Sequence, residues 1–115
     1  MAKKQSFSKL KYQEKILHEI NALLRKDFAD PRLVQVSVTS VELSSDYSVA
    51  KVYWDTFNSE SRGDCKKAID GIAGKMRTKL AALLKVRHTP QLQFIYDSQF
   101  EDEKKIMDLI KDGKE

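Results

Sequence analysis

The chain has 115 residues, 41% hydrophobic and 33% charged, with a formal net charge of +4. That length supports one domain with a modest core. No apolar run approaches the roughly 18 residues that a membrane-spanning helix needs. The single cysteine, Cys65, excludes an internal disulfide and a cysteine-built zinc site.

Met1 to Leu10 carries lysines with no apolar segment behind them, so it is not a secretory signal, and a cytoplasmic location is expected by elimination. The first predicted helix runs from Ser6 or Ser8, either of which can serve as its N-cap, to about Asp27. Leu10, Ile16, Leu17, Ile20, Leu23, Leu24 and Phe28 recur at spacings that build one apolar face. Asp30-Pro31-Arg32 stops the helix, because proline disfavours helical geometry in the residue before it.

Val34, Val36 and Val38 alternate with polar residues, as in a half-buried strand, and the alternation then slips to Val41 and Leu43. A bulge near Thr39-Ser40 accounts for the slip. Ser44-Ser45-Asp46 is turn chemistry, and a second strand from about Tyr47 to Phe57 completes an antiparallel hairpin. After a polar loop, residues 64–85 read as helical, with Cys65, Ile69, Ile72, Met76, Leu80 and Leu83 as the core stripe. Gly71 and Gly74 interrupt this stretch, each at a cost of about 1 kcal/mol relative to alanine. They signal either a kink or a helix that tolerates glycine for tight packing. Gln91 to Asp97 is a third strand with Leu92, Phe94 and Tyr96 on one face. Residues 99–115 read as a tail that could form a short helix using Ile106, Met107, Leu109 and Ile110.

The expected fold is therefore α+β: a single α-β-β-α-(kink)-α-β domain over residues 6–98, with a three-stranded sheet covered by helices on one face. A basic arm, residues 1–5, precedes it. This order matches the type-II KH arrangement of RNA-binding domains. It differs from a double-stranded-RNA-binding domain, which places three strands between its helices, and it lacks the aromatic strand signature of an RRM.

Charge is unevenly distributed. Residues 1–15 carry a net +4 and residues 66–87 a net +6, while residues 16–65 and 88–115 are each at −3. Concentrated positive charge is the footprint of a polyanion binder, or else it marks solvated helix faces. The candidate RNA-binding set brackets the kink at Gly74, with Lys75, Arg77 and Lys79 as the expected contacts and Lys66, Lys67, Lys85 and Arg87 extending the surface. A helix N-terminus after Gly74 would offer backbone N–H groups to a phosphate. Lys3, Lys4, Lys9, Lys11 and Arg32 form a secondary set, in which Arg32 either contacts RNA or anchors its loop to a carboxylate. Tyr53, Trp54, Phe94 and Tyr96 either stack on bases or belong to the core.

Nothing points to catalysis. His18 and His88 read as surface or cap residues, and no phosphate loop, metal pair or nucleophile elbow is present. No cofactor, metal, membrane or small-molecule substrate is expected. The alternatives to a specific RNA partner are a protein-interaction module that docks an acidic partner on its basic face, and a general RNA binder.

Several motifs together resemble one family, ribosome-binding factor A. They are Asp30-Pro31-Arg32-Leu33 after the first helix, Val36 to Asp46 as first strand and turn, Ala50-Lys51-Val52-Tyr53, then Gly74, Arg77 and Leu80. Arg87-His88-Thr89-Pro90-Gln91-Leu92-Gln93-Phe94 resembles the family's entry to its last strand, and the match covers about residues 6–110 in order. The resemblance implies a type-II KH fold and a non-catalytic, monomeric factor. Such a factor binds the free small ribosomal subunit, assists late maturation and processing of its RNA, and is linked to growth in the cold. The family's Ala-x-Gly at the helix kink corresponds to Ile72-Ala73-Gly74, with a bulkier first residue.

Overall fold

A computed structural model describes residues 7–56 and 59–97. Lys3, Lys4, Ser6 and the expected tail helix lie outside the described residues. Helix α1 spans Phe7–Lys26 and a 3-10 turn spans Pro31–Gln35. Strands β1 (Val36–Leu43) and β2 (Val49–Thr56) follow, then α2 (Arg62–Leu84) and β3 (Gln91–Tyr96). The helix begins before Ser8, so that residue lies inside α1 and does not cap it.

The sheet has the order β1-β2-β3, antiparallel in the first pair and parallel in the second. A parallel pair needs a crossover, and α2 supplies it. The register pairs Val36 with Thr56 and Leu43 with Ala50, and it shifts between Val38 and Ser40. That bulge is the one expected from the slipped alternation. It lets Val36, Val38, Val41 and Leu43 all reach the same buried face. Val34, read as the first strand position, sits instead in the 3-10 turn at 64% exposure. Pro31 at the start of that turn and Asp30 as its cap hold the chain in a helical curl two residues longer than the alternation suggests.

Ile16, Ile20, Leu23 and Leu24 of α1 pack with Ala50, Val52 and Trp54 of β2 and with Cys65, Ala68, Ile69, Met76, Leu80 and Leu84 of α2. Each fully buried large aliphatic contributes about 1.5–3 kcal/mol by leaving water. Leu92, Phe94 and Tyr96 close the edge of this core, and Tyr96 meets the Trp54 ring edge-on at 5.0 Å. The opposite sheet face carries the exposed Ser37, Thr39, Glu42, Lys51, Gln91 and Gln93. The helices therefore cover one face, as expected. Two stripe residues depart from expectation: Leu10 and Leu83 are 48% and 43% exposed, and Leu84 takes the inward place at the end of α2.

Helix α1 also covers the outer edge of β1 with polar groups. Asn21 accepts from the Val38 N–H at 2.8 Å and donates to the Val38 carbonyl at 3.2 Å. Gln13, the one buried polar side chain among the described residues, accepts from the Leu43 N–H at 2.9 Å. These bonds satisfy strand groups that would otherwise be buried without partners.

The expected helix break is absent. Helix α2 runs without interruption through Gly71 and Gly74, and no glycine among the described residues has a positive φ. Both glycines face outward, with open space where a Cβ would stand. The turns on either side are anchored by Ile69, Met76 and Leu80, so tertiary packing outweighs the low helix propensity of glycine. No described helix is long and apolar enough to cross a membrane.

Candidate nucleic-acid interface

Because α2 is continuous, the helix N-terminus expected after Gly74 does not exist; the helix begins at Arg62. Continuity also decides where the basic residues point. At about 100° per residue, residues three or four apart share a face. Lys67 and Gly74 lie on the outward face, opposite the stripe of Cys65, Ile69, Met76 and Leu80. Lys66 and Arg77 lie on one flank, and Lys75 and Lys79 on the other. The run of cations in the sequence is thus spread around a helix rather than gathered into one patch.

Several of these cations have internal partners. Lys66 pairs with Asp70 at 3.0 Å, an exposed i,i+4 contact worth little in water. Lys79 reaches Asp27 at 3.3 Å and lies 5.9 Å from the centre of the Phe28 ring, tying α2 to the end of α1. Arg32 grips Asp30 through Nε at 3.0 Å and a terminal nitrogen at 2.6 Å. Its side-chain hydrogen bonds hold the Asp30 carboxyl below its ordinary range. Of the two roles open to Arg32, the loop anchor is the one the geometry displays.

Arg77 donates to the carbonyls of Thr89 (2.8 Å) and Pro90 (3.2 Å), which fastens the loop between α2 and β3. Those bonds use two of its five N–H donors, and the side chain remains exposed. Among the described residues no ion pair engages Lys67, Lys75, Lys85 or Arg87. Lys85 ends α2 in the left-handed region (φ 54°), with its N–H bonded to the Ala81 carbonyl. The loop that follows places Arg87 and His88 beside Arg77 and Thr78.

Of the strand aromatics, Trp54 is buried and Phe94 and Tyr96 are packed against the core. Tyr53 is half-buried on the sheet's opposite side. Two tyrosines not marked by the sequence meet in the fold, Tyr12 partly buried against the core and Tyr47 exposed. Tyr12 of α1 and Tyr47 of the hairpin turn stack with ring centres 5.8 Å apart. The Lys9 ammonium lies 5.8 Å from the Tyr47 ring centre. The pair opens onto a groove of about 980 Å³ that Arg77, His88 and Thr89 also line. Lys11 is exposed on the same helix. No signal in the sequence joins Tyr12 to Tyr47, because only the sheet brings the hairpin turn to the start of α1.

No group of His, Cys, Asp and Glu among the described residues could hold a metal ion. His18 faces Glu14 at 3.4 Å on the exposed side of α1. Burial pushes the Cys65 thiol up from its ordinary pKa, which makes it a poor nucleophile.

Comparison with known proteins places this arrangement. A family model for ribosome-binding factor A matches residues 8–110. The ribosome-binding factor A of Nitrosospira multiformis is 37% identical over 102 residues, covering 88% of this chain and 81% of that protein. The crystal structure of ribosome-binding factor A from Thermus thermophilus superposes with a TM-score of 0.68 at 26% identity, over 76% of this chain and 94% of that one. A second Thermus thermophilus structure, a homology model fitted into the cryo-EM map of a complex between the 30S subunit and ribosome-binding factor A, gives a TM-score of 0.65 at 26% identity, over 78% of this chain and 96% of that one. By sequence along nearly its whole length, and by fold, the chain belongs to the ribosome-binding factor A family.

Proposed function

We propose that this protein binds the free small ribosomal subunit and assists late maturation of its RNA by binding without chemistry. The observation that carries the reading is family membership across residues 8–110, joined to the fold shared with the Thermus thermophilus factor placed in a 30S complex. A binder of this kind acts by preferring one of two RNA states, and it shifts their populations by the difference in affinity.

The cations without internal partners are the first choice for phosphate contacts. Lys67 and Lys75 flank Gly74, whose missing side chain lets a sugar–phosphate backbone lie close along α2. Lys85 and Arg87 extend the surface past the end of the helix. Arg77 adds its remaining N–H donors, while Lys79 and Arg32 serve mainly the fold and Lys66 is held only by its weak exposed pair with Asp70. Residues 1–5, with Lys3 and Lys4, act as an arm joined to a single RNA-binding unit over residues 6–98, with residues 99–115 as a tail. The factor works as a monomer.

Co-sedimentation of the protein with purified small subunits, large subunits and joined ribosomes tests this. The expected result is retention by free small subunits that weakens as salt rises and weakens further in Lys67→Gln/Lys75→Gln. Equal retention by all three particles would leave a general RNA binder. Retention by none, with salt-resistant capture of an acidic protein, would favour the interaction-module reading.

A further inference from the structure

We infer that the groove built on Tyr12 and Tyr47 is a second RNA-contact site, one that takes an unpaired nucleotide with its base on the tyrosine pair and its phosphate towards Lys9 and Arg77. The inference rests on the reading of the protein as an RNA binder and adds the kind of RNA it holds. It lies apart from the outward face of α2 that carries Lys67 and Gly74.

The first support is the backbone at Tyr47. Its φ of 65° is a left-handed conformation that is strained for an ordinary L-residue and that glycine or asparagine would adopt more readily. The turn is held there by a dense set of hydrogen bonds. One Asp46 oxygen, Oδ1, accepts from the Ser44 hydroxyl (2.9 Å), the Ser48 N–H (3.1 Å) and the Ser48 hydroxyl (2.7 Å). The Tyr47 N–H bonds the Ser44 carbonyl at 3.0 Å, and Ser44 and Val49 close the hairpin with further bonds. A large aromatic is thus fixed at a strained position and left 37% exposed. Strain of this kind gathers at binding sites because a rigid platform loses little entropy when it is used.

The second support is the chemistry around the ring pair. The ring planes of Tyr12 and Tyr47 are within 19° of parallel, a stack of the type that a single-stranded base can extend. The groove volume, about 980 Å³, accommodates a nucleotide. Cations stand around it: Lys9 near Tyr47, Arg77 in the wall, and Arg87 on the adjoining loop. Asp46 is the only acid among the described residues of the lining, and the three bonds from Ser44 and Ser48 all fall on its Oδ1. A carboxylate oxygen in that place can accept from a 2′-hydroxyl or a base amino group, which a phosphate cannot supply. Bases inside a duplex are already stacked and cannot reach the platform, so the occupant is single-stranded.

The test titrates the full chain with fluorescein-labelled heptaadenylate RNA, and in parallel with a labelled 12-base-pair RNA duplex. Tyr47→Asn suits the left-handed turn and removes the ring; Tyr12→Leu removes the second ring while keeping an apolar side chain; Tyr47→Trp keeps the stack. Each variant is checked for folding by circular dichroism. Loss of one stack should weaken heptaadenylate binding about tenfold in Tyr47→Asn and Tyr12→Leu. Tyr47→Trp should bind as the native chain does, and duplex binding should be the same in all four. Unchanged heptaadenylate affinity in folded Tyr47→Asn and Tyr12→Leu overturns the inference, as does an equal loss on the duplex. Small-subunit co-sedimentation of the native chain is scored separately. If it fails while the oligonucleotide result holds, the assembly role falls and the nucleotide site stands.

Discussion

Asp46 shows how an exposed charge can shape a fold. Three hydrogen bonds on one oxygen, led by the Ser48 hydroxyl, lower its pKa to about 2. The unfolded value is near 3.9, so the folded state prefers the ionised carboxylate. The sign follows from that order: the turn's stabilisation is fully present above the unfolded pKa and is lost as pH falls through about 2. Carbon-detected NMR titration should therefore find the Asp46 midpoint near 2, and Ser44→Ala/Ser48→Ala should move it up towards the ordinary aspartate range. A native midpoint already in that range would mean that the turn is not held as described. Arginines at the same scale differ in how well the sequence announces them. Arg32 stands two residues from Asp30 across a proline, so anchoring to a carboxylate was one of the two roles its sequence left open. The partners of Arg77 are backbone carbonyls twelve and thirteen residues on, in a loop whose path depends on the sheet.

Helix α2 is where local propensity and packing disagree. Gly71 and Gly74 suggest a kink on propensity alone, yet six buried side chains along the inward stripe keep one helix of 23 residues. The Thr78 hydroxyl, bonded to the Gly74 carbonyl at 3.1 Å, adds a local tie across the same turn. If the helix is continuous, Gly74 only weakens it. Gly74→Ala should then raise stability by about 0.5–1 kcal/mol, read as a higher urea midpoint at unchanged slope. A glycine required by a left-handed kink would give the opposite sign. The bulge of the hairpin, by contrast, was legible, because a period of two is strict and a single slip in it has one structural meaning, but Tyr47, read as the start of the second strand, stands in the turn before β2. Strand β3 was legible for the same reason. Edge capping of β1 by Asn21 and Gln13 was not, because a polar residue in an amphipathic helix carries no mark of the backbone group it will meet.

At the scale of the whole molecule, element order and the apolar stripes were enough to place three strands under helices on one face, but the distribution of charge in space was not. Seven cations lie between residues 66 and 87, and a linear count treats them as one cluster. Helix α2 divides five of them among three directions, Lys85 and Arg87 follow its end, and internal carboxylates and carbonyls occupy some of them. This division has a measurable consequence for RNA binding. Each phosphate neutralised by a protein cation releases condensed counterions, so the logarithm of the binding constant falls linearly with the logarithm of salt concentration, by about 0.7–0.9 per contact. Lys67→Gln and Lys75→Gln, which break no internal pair, should each reduce the slope for small-subunit binding by nearly one contact and leave the urea midpoint unchanged. Lys66→Gln and Lys79→Gln should change the slope little, since each of these cations already faces a carboxylate. Arg77→Lys keeps the charge but lacks the planar fork that holds two carbonyls, so it should loosen the loop before β3 while retaining most of the slope. If the four Lys→Gln variants lowered the slope equally, charge would be acting through the summed field of the molecule rather than through contacts at Lys67 and Lys75.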